Sequence, residues 1–362
     1  MAIGELVVDW ISTTKGKGFI ESSTYFKSLG GNAANVAIGL SRLGSPSKLI
    51  AKTGNDVQSR YLLKVLEEEG VDTEHIIADP AYPTAQCYVF TTVDDDNTFL
   101  NWPSGNAAQW LESDEITEEI MDGIDLIHAT GISLTSEPRR AAILKALEMA
   151  HRRDLVVSFD AGFPTGEGEE ARESVKKAMA HADIIKVNML ELIFWNRQIA
   201  PELARSIPAE ITKLYDNPPS SGHEETSSKS AVDIPAQLLE DLSGTLFERY
   251  KPAVLLVTLA EKGSYIFSEG ERLMIPPFKV ETVAGVGAGD AYMAGFLHYL
   301  KETQRKDVGL NEHLRTMSKE ELKTTGIFAS AVGALTTRSI SAHESLPTRD
   351  EVETLVKSAP HQ

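Results

Sequence analysis

The chain of 362 residues has a single cysteine, Cys87. That excludes an intramolecular disulfide and any metal site built from several thiolates, and it points to a reducing compartment. No apolar run reaches the length of a membrane-spanning helix, and the opening Met1-Ala2-Ile3-Gly4-Glu5 has neither the basic start nor the apolar stretch of a secretory leader. A cytoplasmic location without membrane contact is the expectation. Basic residues are scarce as well: 35 Lys and Arg against 53 Asp and Glu leave a net charge of −18, which repels nucleic acid and anionic membranes. The nine histidines are scattered, with no His-x-x-x-His pair, so surface or structural roles are expected of them. Asp94-Asp95-Asp96 lacks the loop spacing and closing Glu of a calcium loop and reads as a solvated turn.

What the sequence does have is enough apolar content, 42%, for one large α/β domain or two modest ones. Short β-branched runs at 48–52, 125–129, 155–160, 183–187 and 254–259 alternate with helical patterns. Tyr61, Leu62, Val65 and Leu66 form one such apolar face before Gly70, and Ile143, Leu144, Leu147 and Ala150 form another after Pro138. Alternation of this kind predicts an open, doubly wound, mostly parallel sheet flanked by helices. Two stretches, 10–26 and 84–106, break the rhythm: each reads as two short strands around a polar turn, a β-hairpin set apart from the main sheet. Segment 217–230 is rich in Pro, Gly, Ser and Glu and reads as a surface insertion. The expected division is a core of 1–9, 27–83 and 107–362, with a small β lid of 10–26 and 84–106.

The strongest chemical signal is Gly285-Val286-Gly287-Ala288-Gly289-Asp290 running into a helical pattern. Glycines there let backbone amides converge at the positive end of the helix, an anion hole. An aspartate at its mouth suits acceptance of a proton from an attacking hydroxyl. The same residue also serves as a simple helix cap over a tight turn. A second signal, Ser28-Leu29-Gly30-Gly31-Asn32-Ala33-Ala34-Asn35, pairs glycines with amides suited to sugar hydroxyls, or it is a loop with an Asn cap on an ordinary helix.

The two segments, in this order and about 250 residues apart by the motif reading, resemble the signature regions of the ribokinase-like, or PfkB-type, carbohydrate kinases. The wording is closest to fructokinases, particularly in Ala331-Val332-Gly333-Ala334-Leu335-Thr336-Thr337 and Leu346-Pro347-Thr348. The resemblance implies a ribokinase-like fold and ATP-dependent phosphorylation of a sugar. It implies Asp290 as general base, with Gly287, Ala288 and Gly289 as its anion hole. Gly4-Glu5-Leu6-Val7-Val8-Asp9 is similar to the family's first strand, which puts Asp9 among the sugar ligands with Gly31 and Asn35. Asn188-Met189-Leu190-Glu191 resembles the Asn-x-x-Glu motif that arranges Mg²⁺ and its waters around ATP. Thr258-Leu259-Ala260-Glu261-Lys262-Gly263 resembles the segment under the nucleotide, so Thr258, Ala260 and Gly263 join Asn188 there. A lid closing over the sugar, and a homodimer formed through it, are further implications.

Several positions depart from that pattern. Ala284-Gly285 stands where the family has Asp-Thr, and Ala284 cannot coordinate K⁺. The matching late loop reads Arg338-Ser339-Ile340-Ser341-Ala342, so the monovalent cation site is altered on both sides. Ala260 replaces a glycine. Two fructokinase arginines are missing, from Asp160-Ala161-Gly162-Phe163-Pro164 and from the stretch before Pro103-Ser104, which leaves Asn101 or Asn106 for the sugar contacts. The substrate therefore stays open among fructose, ribose, 2-keto-3-deoxygluconate and a nucleoside, and the second reading is a catalytically impaired structural or regulatory protein.

Overall fold

The computed structural model describes residues 1–91, 97–163, 168–204, 207–208, 225–226 and 234–359. The acidic turn Asp94-Asp95-Asp96 and most of segment 217–230 lie outside the described residues. Fourteen strands are described: β1 (Ala2–Ile3), β2 (Val7–Ser12), β3 (Tyr25–Gly30), β4 (Leu49–Gly54), β5 (Ile76–Asp79), β6 (Gln86–Thr91), β7 (Asn97–Trp102), β8 (Leu126–Thr130), β9 (Val156–Asp160), β10 (Ile184–Asn188), β11 (Glu225–Thr226), β12 (Val254–Thr258), β13 (Ser264–Ser268) and β14 (Arg272–Ile275).

Nine of them form one sheet in the order β14-β13-β12-β10-β9-β8-β1-β4-β5. Its centre is parallel, and β13 alone runs against the other strands, pairing antiparallel with β12 on one side and β14 on the other. The reason is in the composition of the strands. Val254–Thr258 is almost continuously apolar, and both it and Val156–Asp160 are buried nearly throughout, as strands covered by helices on both faces must be. All five strand runs expected from the sequence are present in this sheet.

The remaining five strands form a second, smaller sheet in the order β11-β7-β6-β2-β3. Both expected hairpins exist, β2 with β3 and β6 with β7, each antiparallel. They join edge to edge through the parallel pair β2 and β6. On the outer face Phe19 and Tyr25 of the first hairpin meet Tyr88 and Phe90 of the second edge-on. One expectation needs correction. Residues 4–9 are not a single core strand, because the main-sheet strand ends at Ile3 and Val7 already belongs to the small sheet. The boundary placed after residue 9 thus falls inside β2, and β3 runs past residue 26 to Gly30.

That crossing positions the site. Strand β1 sits between β4 and β8, where the order of the parallel strands reverses, so the chain leaves the main sheet at its switch point. Open α/β sheets bind ligands in the crevice beyond the carboxyl ends of the strands at such a point.

Candidate active site

Helix Ala288–Glu302 begins at Gly287, whose φ of 75° lies in the left-handed region. A β-carbon added at Gly287 would stand 2.4 Å from the Ala342 β-carbon, so glycine is required there twice over, for conformation and for space. The Ala288 amide donates to the Gly285 carbonyl at 3.3 Å, and the first turn as a whole carries the positive end of the helix dipole, where a helix leaves amides without intrahelical partners. Ala288 and Gly289 lie in that turn, with Asp290 next.

The two motifs of the sequence meet at Asp290. Its Oδ2 accepts a 2.8 Å hydrogen bond from the Nδ2 of Asn35, a residue 255 positions away. Asn35 is in helix Asn32–Arg42, which starts after Gly31, and its Oδ1 is buried without a partner among the described residues. Burial pushes the Asp290 carboxyl up to about 8; Asp160 and Glu5 reinforce this, while the Asn35 bond and Lys186 oppose it. A carboxyl in that range is mostly protonated at pH 7, and its ionised fraction, which grows as pH rises toward about 8, is a stronger base than an ordinary carboxylate.

Asp9 comes from the small sheet. Its carboxylate lies flat across Gly30, where an added β-carbon would be 2.1 Å from Oδ2. Burial, with Glu5 nearby, raises this carboxyl to about 7. Glu5 itself ties the crossing together: Oε1 accepts from the Asn32 amide at 2.9 Å and Oε2 from the Ser133 hydroxyl. In register with Asp9 across the sheet stand Ser28, Cys87 and, beyond Cys87, Asn101, so all four share one face. Asn101 is exposed. Asn106 is buried and gives its Nδ2 to the Pro103 carbonyl at 3.1 Å.

Asn188 and Glu191 form a reciprocal helix cap. The Asn188 amide and Nδ2 donate to Glu191 at 2.6 and 2.7 Å, and the Glu191 amide donates back to Asn188 Oδ1 at 2.9 Å. The pair is not on a solvated face: Glu191 is buried, which pushes its carboxyl up to about 7 against the pull of Lys186. Asn188 is paired in register with Thr258, bringing two of the residues assigned to the nucleotide side by side. Gly263 follows at φ 94°, and Ala260 between them holds a left-handed φ of 50° although it is not glycine. Its side chain is exposed, so strain outweighs crowding, and Ala260→Gly is expected to stabilise the protein by about 1 kcal/mol. Urea denaturation of the two proteins measures this, and an unchanged or lower midpoint would refute it.

Sequence reasoning missed the group at the centre. Lys186 of β10 donates to Asp160 Oδ2 at 2.7 Å, and both are buried. The available signal was a lysine inside the apolar run Ile184-Ile185-Lys186-Val187, where a charge is tolerated only if paired. Of the histidines, His128 is fully buried in β8 and held down to about 3 by desolvation, a structural placement.

Solved structures share this architecture. The fructokinase with bound ATP from Xylella fastidiosa superposes with a TM-score of 0.78 at 21% identity, covering 99% of this chain and 98% of that one. The Vibrio cholerae O395 fructokinase in its fructose, ADP and calcium ion bound form gives 0.73 at 22%, covering 98% and 97%. Among curated sequences, Fructokinase-1 of Zea mays is 28% identical over 99% of this chain and 98% of its own length. Probable fructokinase-2 of Arabidopsis thaliana is 29% identical over 99% and 95%. The pfkB family of carbohydrate kinases matches residues 1–349, nearly the whole chain and both motifs that meet at Asp290, and the protein therefore belongs to that family.

Proposed function

We propose that the protein transfers the γ-phosphoryl group of ATP to a sugar hydroxyl, with Asp290 as general base. The observation that carries this reading is the bond between Asn35 and Asp290 at the mouth of the glycine turn. Asn35 and Asp9 hold the sugar with Gly31, and Asn101 and Asn106 lie on the lid side of the same reading. Asp290 takes the hydroxyl proton as oxygen attacks phosphorus, and the amides following Gly287 stabilise the charge on the transferring group. Thr258, Ala260 and Gly263 flank the nucleotide. The two hairpins act as the lid that excludes water.

The donor set fits a magnesium ion held through water. Both Glu191 oxygens already accept from Asn188, and among the described residues no cluster of three acidic, His or Cys groups would hold a metal alone. Three buried carboxyls, Asp160, Glu191 and Asp290, surround one buried ammonium, Lys186, and a dication nearby would favour the ionised forms of Glu191 and Asp290, which burial pushes up to about 7 and about 8. When bound, Mg²⁺ neutralises charge on the phosphates.

The test is ADP release with ATP, Mg²⁺ and a panel of fructose, ribose, 2-keto-3-deoxygluconate and a nucleoside, with and without K⁺. Turnover of at least one sugar is expected, at a rate that K⁺ does not change, because Ala284 offers no oxygen side chain. Silence across the panel would favour the structural or regulatory role instead.

A further inference from the structure

Lys186 lies mid-strand in β10, 5% exposed, in a segment otherwise apolar. Its ammonium contacts Asp160, the register partner in β9. It also lies 3.1 Å from the point where a β-carbon on Gly289 would stand, directly under the first turn of helix Ala288–Glu302. Burial alone would lower this ammonium, yet Asp160, Glu191 and Asp290 together hold it above the ordinary lysine range.

An ion pair that only holds two strands together needs one carboxylate, and apolar residues of similar volume do that work equally well. Here one ammonium faces three carboxylates from three elements, with His128 and Tyr292 also within its field. Asp160 leaves its buried Oδ1 without a hydrogen-bond partner among the described residues, as does Asn35 above the turn. The arrangement is incomplete as a structural pair and complete only with a ligand. The helix dipole and the ammonium add at one place, immediately behind the glycine turn.

We propose that Lys186 is a positioning residue for phosphoryl transfer: seated under Gly289, its ammonium supplies fixed positive charge behind the turn that receives the γ-phosphoryl group. The inference rests on the kinase reading above. In the step itself the bond from phosphorus to the bridging oxygen of ADP breaks as the bond to the sugar oxygen forms. The hydroxyl proton passes to Asp290, and Lys186 keeps all its protons. Fixed charge of this kind needs no reorganisation during the reaction, which is why it is effective.

The experiment compares Lys186→Met, Lys186→Arg and the double variant Lys186→Met with Asp160→Asn. The double variant replaces the pair by neutral groups of similar volume, so it retains the fold even if the single variant, with Asp160 stranded, does not. Calorimetry of Mg²⁺ with ATP and with ADP is expected to show ATP affinity falling about tenfold more than ADP affinity. Turnover should fall about a hundredfold in both Met variants. In Lys186→Met the acid limb of the kcat profile should move up by about one pH unit, because an opposite charge has left the neighbourhood of Asp290; in the double variant the loss of the Asp160 carboxylate, which pushes Asp290 up, offsets that move. Arginine should restore most of each effect. A folded double variant with the parent's nucleotide affinities and turnover would overturn the inference. An Asp290→Asn protein that still turns over would instead overturn the kinase reading, so the two failures are told apart.

Discussion

Asp290→Asn is expected to lower turnover by about a thousandfold while sugar affinity stays within a few-fold of the parent. Asparagine keeps an oxygen that accepts from Asn35, so the junction between the two motifs survives, and only proton acceptance is lost. The same substitution should change stability in a direction peculiar to a buried acid. The Asp290 carboxyl is raised from 3.8 to about 8, chiefly by burial. The folded state therefore holds the proton more tightly than the unfolded state. Its contribution to stability is fully present below about pH 4 and is lost as pH rises through about 8. Above that value the parent must keep a buried carboxylate that the variant does not have. Melting curves at pH 8.5 should place the variant above the parent, and the gap should close toward pH 4. A variant that turns over at the parental rate, or that melts lower at pH 8.5, would contradict this account.

Gly287→Ala carries the other large effect. The left-handed backbone costs a non-glycine residue about 1–2 kcal/mol, and the new methyl would collide with Ala342 at 2.4 Å. A loss of at least about 2 kcal/mol is expected from strain and overpacking together. Turnover should fall with it, because the turn cannot move without moving the amides behind it. Adding Ala342→Gly removes the shortest contact but leaves the Ala342 α-carbon at 3.1 Å and the strain, so the double variant should recover part of the stability and part of the turnover. Guanidinium denaturation and ADP release measure both. Full activity in Gly287→Ala alone would show that the turn does not hold a phosphate.

The main sheet was legible because its strands are short apolar runs whose partners need no naming: any doubly wound arrangement buries them. The hairpins were legible as hairpins, but not the parallel seam that fuses them, since the registered residues of β2 and β6 lie 78 positions apart and no local pattern encodes their register. The crossing at residues 4–6 was misread for a related reason. Ile3 and Val7 are both β-branched and apolar, and nothing local marks a chain leaving one sheet for another. Glu5 and Asp160 stand in the sequence only as members of longer motifs, and Lys186 only as a charge inside an apolar run; what joins them to the site is burial.

The sequence by itself determined which backbone turns are possible: Gly287, Ala288 and Gly289 before Asp290, and Gly30 and Gly31 before Asn35, are local conformational facts written in residue type. Tertiary structure alone decided that these two turns face each other across 255 positions. It also decided that one lysine lies beneath them among three carboxylates. Backbone preference acts between neighbours in the chain, whereas the charge state of a site depends on everything packed around it, and only folding brings those groups together.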